Sequence, residues 1–289
     1  MKVDVACVGD PFLDLIFLGL PALPVLGEER LADRLGISPG GIANVAYALG
    51  RLELSAVVCA PIGRDSAGRL LGELMADAGI TWLGRDADVT PVSVALPADG
   101  ERAFVTVSPP PSVDFETLAR ITARAIVVDL PSSALLPAHP RVYAVLGDPE
   151  VGAMAGRLPL SLDGLRALVL NEREVRALTG LADVPEAAGH LAALGTTVVV
   201  TQGPDGVTAI EPGGRTVRVS APAARVHDTT GAGDLFAAAY VWADLAGHPL
   251  EERLRLATTY ASLSLERATD RQKGITLAEF EALSAASPR

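Results

Sequence analysis

Short apolar runs rich in β-branched residues recur along the chain between stretches with helical spacing, and this alternation constrains the fold more than any other feature. The runs cover residues 3–8, 55–60, 125–129, 142–146, 167–170 and 196–201. Strands separated by helices in this way predict a largely parallel sheet with helices on both faces. Helices are expected over 42–52, 65–78, 114–124, 172–179, 185–194, 232–246, 250–268 and 277–284. Gly79, Gly180, Gly195 and Gly247 fall just past the last periodic residue of four of them, where a left-handed residue ends a helix.

Two segments break the pattern. Residues 12–38 contain Pro21, Pro24 and Gly27, and in 90–108 the runs Val92-Ser-Val-Ala-Leu96 and Arg102-Ala-Phe-Val-Thr-Val107 flank Asp99-Gly100. Asp-Gly between two strand-like runs favours a hairpin. The two segments together form a small sheet standing off the main one, either a lid or an ordinary peripheral sheet. The expected division is a core of residues 1–11, 39–89 and 109–289, with a β lid of 12–38 and 90–108.

A formal net charge of -11 opposes nonspecific capture of nucleic acid or of an anionic membrane surface, so an anionic ligand needs a local site. Only Lys2 and Lys273 are lysines among the 24 basic side chains, which nearly excludes lysine-dependent chemistry. Asparagine occurs only at Asn44 and Asn171. Cys7 and Cys59 sit in apolar runs and read as core residues, without a disulfide framework. Asp4, Asp10 and Asp14 interrupt the apolar start, and no uncharged stretch reaches the ~18 residues of a membrane span, so a soluble cytoplasmic protein is expected.

The strongest local signal is Asp228-Thr-Thr-Gly-Ala-Gly-Asp234, followed by the nearly uncharged run from Leu235 to Ala243. A glycine turn opening into a buried helix aims several free backbone N–H groups at one spot, at the positive end of the helix dipole. This is an anion hole built without lysine. A carboxylate beside it, Asp234, can take the proton of a hydroxyl that attacks a bound phosphoryl group. It also suits an ordinary first-turn acid. Phe236 replaces the third glycine of a dinucleotide fingerprint, and no lysine-bearing phosphate loop or protein-kinase motif exists.

Three weaker signals accompany it. Ser38-Pro-Gly-Gly-Ile-Ala-Asn44 lets a ligand approach the backbone at Gly40 and Gly41 and offers it the Asn44 amide, or is a turn with a capping amide. Asn171-Glu-Arg-Glu174 follows a strand, where open α/β sheets bind ligands, or is an N-cap with first-turn acids. Thr201-Gln-Gly-Pro-Asp-Gly206 follows another strand and reads equally as a turn.

In this order the residues resemble the ribokinase-like (PfkB) family of carbohydrate and nucleoside kinases over nearly the whole chain. Asp228 to Asp234 is similar to the family's C-terminal signature, and Gly40-Gly41 with Asn44 and Ala46 to its N-terminal one. Val8-Gly9 through Asp14, Pro24 to Glu28, and Pro61-Ile-Gly-Arg-Asp65 with Gly68 match further elements. The resemblance implies an α/β fold, a ribokinase-like three-layer α/β/α core with a small β lid. It implies ATP-dependent phosphorylation of a hydroxyl, with Asp234 as base and the Gly231, Ala232 and Gly233 amides stabilising the transferred phosphoryl. Asp14, Gly40, Gly41 and Asn44 would hold the acceptor, and Thr201, Gly203 and Gly206 would contact ATP. Asn171 and Glu174 would organise Mg²⁺ and phosphate through water. Asp228 and Thr230 would lie beside a monovalent cation if K⁺ is used.

Some positions depart from the family. His227 stands where an apolar residue is common, and it reads as a packed neutral histidine. Phe12 and Ile42-Ala43 replace residues that ribokinases proper use around the sugar, which weakens ribose as the acceptor; residues 130–159 match poorly. A sugar kinase is the leading reading. A nucleoside kinase is the alternative within the fold, with Phe12, Phe17, Trp82 or Phe104 stacking on a base, and a sugar phosphate would need an arginine such as Arg102. A noncatalytic ligand-binding regulator would not need the base, the anion hole and the Asn-x-x-Glu element together. Some family members dimerise through the lid.

Overall fold

The computed structural model describes residues 1–98, 101–109, 113–136, 138–147, 151, 154, 162–223, 230–266 and 274–286, without the side chains of 97, 98, 101, 102, 285 and 286. The chain opens with β1 (Lys2–Val8), β2 (Pro11–Leu18), β3 (Arg34–Gly41) and α1 (Ile42–Arg51). Next come β4 (Ala56–Cys59), β5 (Ile62–Gly63), α2 (Ser66–Asp77), β6 (Thr81–Leu83), β7 (Asp86–Ala87), β8 (Val92–Ala98) and β9 (Glu101–Val107). The middle holds α3 (Phe115–Leu118), β10 (Thr122–Asp129), α4 (Leu130–Ser133), β11 (Val142–Val145) and β12 (Leu165–Asn171). The last third holds α5 (Glu172–Thr179), α6 (Val184–Ala192), β13 (Val198–Thr201), β14 (Val207–Ile210), β15 (Thr216–Val219), α7 (Ala232–Leu245), α8 (Leu250–Glu266) and α9 (Leu277–Ala286).

Nine strands form the main sheet in the order β15-β14-β13-β12-β11-β10-β1-β4-β6, parallel from β13 through β6 and antiparallel at β14 and β15. The buried stretches of the central parallel strands are apolar because both faces are covered. Val5 and Cys7, Ala125 and Val127, and Ala167 and Val169 join the large cluster under α1, α7 and α8. Their neighbours turn the other way, Leu168 and Leu170 onto α5 and α6, and Ala6, Val8, Ile126 and Val128 onto Leu118. Helix α7 is buried almost all round from Leu235 to Leu245, as a helix sandwiched between a sheet and other helices must be.

Strands β3-β2-β8-β9 form a separate four-stranded sheet. The pairing Ala98↔Glu101 leaves a two-residue hairpin loop, Asp99-Gly100, which lies outside the described residues. Asp65 anchors the base of this sheet. Its carboxylate caps α2 at the Gly68 N–H (2.8 Å) and accepts from the N–H (3.0 Å) and hydroxyl (2.7 Å) of Thr90, which shortly precedes β8. The Gly-x-Asp-x-x-Gly element is thus a clamp, and Gly63 and Gly68 have no room for a Cβ against Thr90.

The helix expected over 114–124 is corrected. Only Phe115–Leu118 is helical, and the chain enters β10 at Thr122, because Ile126 and Val128 need a strand neighbour for β1. Three short strands of the main sheet, β6, β14 and β15, escaped the pattern because they are only three or four residues long.

Candidate active site

In the main sheet the chain runs from β1 to β4 and β6 on one side, and from β10 through β15 on the other. The strand order therefore reverses between β1 and β10, and ligands of open α/β sheets bind outside the carboxyl ends at such a point. Gly9 and Asp10 follow β1 there, and Asp129 ends β10 beside them. A Cβ on Gly9 would come within 2.9 Å of the Asp129 Oδ2. Burial raises the Asp129 carboxyl above its usual range, partly offset by bonds from Ser132, whose N–H donates at 2.9 Å. The sequence reading passed over Asp129; its signal was an acid closing a buried strand.

Helix α1 starts at the same edge. Gly41 is its N-cap at φ 54°, and a Cβ there would strike the Asp10 carbonyl and the Phe12 ring. A Cβ on Gly40 would collide with the Asp14 carboxylate. The glycine pair therefore lets β2 fold closely over the helix entrance and seats Asp14 and Phe12 beside it. Cross-strand register puts Ser38, Asp14, Ser93 and Thr106 in one row on one face of the small sheet, with Ser93 and Thr106 hydroxyls 3.0 Å apart. Only Asp14 of this row was singled out from sequence, because its members lie far apart along the chain.

Helix α7 packs against α1. Gly231 is the N-cap of α7 in the left-handed region (φ 80°) with no side-chain cap, so the amides of the first turn lie ahead of the intrahelical bond from the Leu235 N–H to the Gly231 carbonyl. Gly233 is exposed, and a Cβ there would meet nothing within 4 Å. Asp234 lies in this turn, and the Asn44 amide donates to its Oδ2 at 2.9 Å across 190 residues of sequence. Thr230 is buried; Asp228 and His227 lie outside the described residues.

Asn171 and Glu174 lie at the carboxyl end of β12 and close on each other as a capping box. The Glu174 N–H donates to Asn171 Oδ1 (2.9 Å), the Asn171 N–H to Glu174 Oε2 (2.8 Å), and the Asn171 amide to Glu174 Oε1 (2.6 Å). Thr201 pairs with Asn171 across the sheet and donates its hydroxyl to the Leu170 carbonyl at 3.3 Å. The turn after it is held by Gln202 N–H to the Gly206 carbonyl (2.8 Å), with Gly203 at φ 55° and Gly206 at φ 97°. A Cβ on Gly206 would strike the Val219 carbonyl, whereas one on Gly203 meets open space. Gly203 is thus the turn glycine a ligand could approach. A cavity of about 340 Å³ next to this turn is lined by Gln202, Arg218 and the start of α6, on the sheet face away from α7.

Of the aromatic candidates, Phe12 borders the site at Gly41, Trp82 donates to the Ala60 carbonyl at 3.1 Å, and Phe17 and Phe104 are exposed on the small sheet. The Arg102 side chain is outside the description. Among the described residues no group of three or more His, Cys, Asp or Glu side chains forms a metal cage, and no helix is long and apolar enough to cross a membrane.

Two glycine turns, an acid in an uncapped helix start and a small sheet beside the carboxyl edge of the main sheet define the class of α/β protein. The family model described as pfkB family carbohydrate kinase matches residues 138–274. The chain is similar to a ribokinase of Arabidopsis thaliana, 29% identical over 279 residues, 87% of this chain and 73% of that one. It is similar to the bifunctional protein HldE of Pseudomonas aeruginosa (strain LESB58), 28% identical over 320 residues and 94% of this chain, while spanning about 65% of the HldE length. The structure of Arabidopsis thaliana ribokinase complexed with ribose and ATP superposes with a TM-score of 0.76 at 25% identity, covering 98% of this chain and 99% of that one. The chain thus resembles the PfkB/ribokinase-like family of carbohydrate kinases, whose model matches a little under half of it.

Proposed function

We propose that the protein transfers the terminal phosphoryl group of ATP to a hydroxyl of a small sugar or sugar derivative. The observation that carries this is a carboxylate, Asp234, set in the first turn of an uncapped helix and bonded at 2.9 Å by Asn44, in the helix whose glycine entrance seats Asp14 of the small sheet. The acceptor's hydroxyls would be held by Asp14 and the amide edge at Gly40 and Gly41, below the row Ser38, Ser93 and Thr106. A polar row of this kind suits a polyhydroxylated ligand, and the ribose-bound relative supports a sugar over a nucleoside.

ATP, when bound as co-substrate, supplies the phosphoryl group. Asp234 takes the proton of the attacking hydroxyl as its oxygen forms the new bond to phosphorus and the bond to the leaving ADP oxygen breaks. The amides of Gly231, Ala232 and Gly233 stabilise the charge on the transferred oxygens, fixed in place by a helix that cannot move without opening the core. Thr201, Gly203 and Gly206 would contact the nucleotide. Asn171 and Glu174 already satisfy each other, so they fit Mg²⁺ only through water. Thr230, together with Asp228, would border a K⁺ site. The small sheet would close as a lid that keeps water from the phosphoryl group. Its exposed Phe104, Val105 and Val107 make it a candidate face for a homodimer, which sedimentation velocity would reveal.

The test is a coupled ADP-release screen across sugars, sugar phosphates and nucleosides. At least one sugar should raise ADP release above the acceptor-free rate, and Asp234→Asn should lower kcat about 10²- to 10⁴-fold with nucleotide binding retained. Near-normal turnover by Asp234→Asn, or no acceptor above the blank, would refute the proposal.

A further inference from the structure

We infer that Asn44 is a positioning residue for Asp234, holding the carboxylate in its working direction, rather than a reader of the acceptor's hydroxyls. The inference rests on the phosphotransfer reading above and changes the role that the sequence resemblance assigned to this side chain.

Four observations carry it. The Asn44 Nδ2 is 2.9 Å from the Asp234 Oδ2, a good charge-assisted bond between two helix starts. An ionised carboxylate only accepts, so the amide must turn its NH₂ toward Asp234 and its oxygen away. Asn44 is only 1% exposed, so water does not compete for that donor. Its Oδ1 is buried and has no hydrogen-bond partner. Burying an amide oxygen without a partner costs stability, so what an asparagine contributes here lies in the group that its NH₂ touches, Asp234.

The geometry gives the bond a function. An aspartate side chain turns about two single bonds, and its carboxylate is planar. Fixing Oδ2 therefore also sets the direction of the other oxygen. The same donor favours the ionised form, the one able to accept a proton. A base that must first find its orientation loses part of the advantage of being close.

The test compares wild type with Asn44→Leu, Asn44→Asp and Asp234→Asn. Asn44→Leu keeps the volume and removes both the donor and the orphaned acceptor. It should melt at or above the wild-type temperature and bind ADP unchanged. Its kcat should fall about tenfold to a hundredfold, a part of what complete loss of a general base costs, with the acceptor KM changed less than about threefold. The acidic limb of its pH–rate profile should move up by about one pH unit, and Asn44→Asp should move it further, since two carboxylates in contact resist double ionisation. Carboxyl-carbon NMR provides a readout that needs no acceptor. The resonance missing from Asp234→Asn should titrate about one unit higher in Asn44→Leu, while those of Asp10, Asp14 and Asp129 stay in place.

A raised acceptor KM with unchanged kcat, pH profile and Asp234 titration would overturn the inference and return Asn44 to the acceptor site. If Asn44→Leu fails to fold, Asn44→Asp carries the same readouts. Full turnover by Asp234→Asn would instead overturn the base assignment, and the NMR titration separates the two failures.

Discussion

Helix α7 ends on a charge that its own dipole disfavours. Asp244 sits one residue from the C-terminus of the helix, 4% exposed, where the field is negative. It is held by Arg253 Nη1 at 2.8 Å, by Arg166 Nε and Nη2 at 3.0 and 2.9 Å, and by the Tyr143 hydroxyl. Burial pushes the Asp244 carboxyl up, but the bonds from Arg166 and Tyr143 and the charge of Arg253 outweigh it and leave its pKa lowered. Asp244→Ala would strand the Arg253 guanidinium, whose side chain is 12% exposed, with only the Tyr240 hydroxyl at 3.3 Å and the Tyr240 ring at 5.6 Å. Breaking a buried pair from one side costs about 3–5 kcal/mol, and Arg166, nearly half exposed, adds little because water replaces its partner. At about 2 °C per kcal/mol for a chain of this length, Tm should fall by roughly 6–10 °C in differential scanning calorimetry at neutral pH. The folded pKa lies below the unfolded value, so this stabilisation is complete above about pH 4 and is lost as pH falls toward the folded pKa. The gap in Tm between wild type and variant should therefore narrow only below that pH. A fall under about 2 °C at neutral pH would refute the argument that the arginines depend on Asp244.

Two further substitutions probe the acceptor side. Gly40→Ala puts a Cβ onto the Asp14 carboxylate and should displace it, raising the acceptor KM about tenfold or more in ADP-release assays while the KM for ATP holds; equal rises would count against Asp14 as an acceptor ligand. Asp65→Ala removes the cap of α2 and leaves the buried Thr90 N–H without its partner, which together should cost about 2–4 kcal/mol by urea unfolding. An unchanged urea midpoint would show that the base of the small sheet is held elsewhere.

How much could be read from the chain depends on the range of the cause. Strands β1, β10, β12 and β13 were legible because burial on two faces writes itself as an unbroken apolar run. Helix α5 was legible to the residue, since Asn171, Glu174 and Gly180 carry its capping box and left-handed stop. Strands β14 and β15 were not, because four-residue segments, β14 wholly buried and β15 alternately exposed at the sheet edge, are too short to leave a periodic signal. In the site, Gly41 and Gly231 do adopt positive φ, and Gly40 and Gly41 are closely approached, though by Asp14, Asp10 and Phe12 of the chain itself rather than by the ligand expected from sequence. The contacts that give the site its chemistry were silent, because Asn44 and Asp234 meet across 190 residues and the polar row from Ser38 to Thr106 exists only in the strand register.

The two ends of α7 explain one another. At its start the helix has no side-chain cap, so it forgoes the ~1 kcal/mol that a serine or aspartate cap would contribute; in the proposed function the first-turn amides serve the phosphoryl group instead. At its end a buried carboxylate meets two guanidiniums and a phenol, and between them Leu235, Phe236 and Tyr240 are packed to below 4% exposure. A helix fixed at one end and along its length can leave the other end uncapped without fraying. That is the condition an amide anion hole requires, since donors that must reorganise during phosphoryl transfer lose much of their electrostatic effect. Weakening the Asp244 anchor should therefore reach Asp234 over the length of α7. In Asp244→Asn, kcat should decline before global unfolding as temperature rises, whereas loss of activity strictly parallel to unfolding would mean that the anchor stabilises the fold without organising the site.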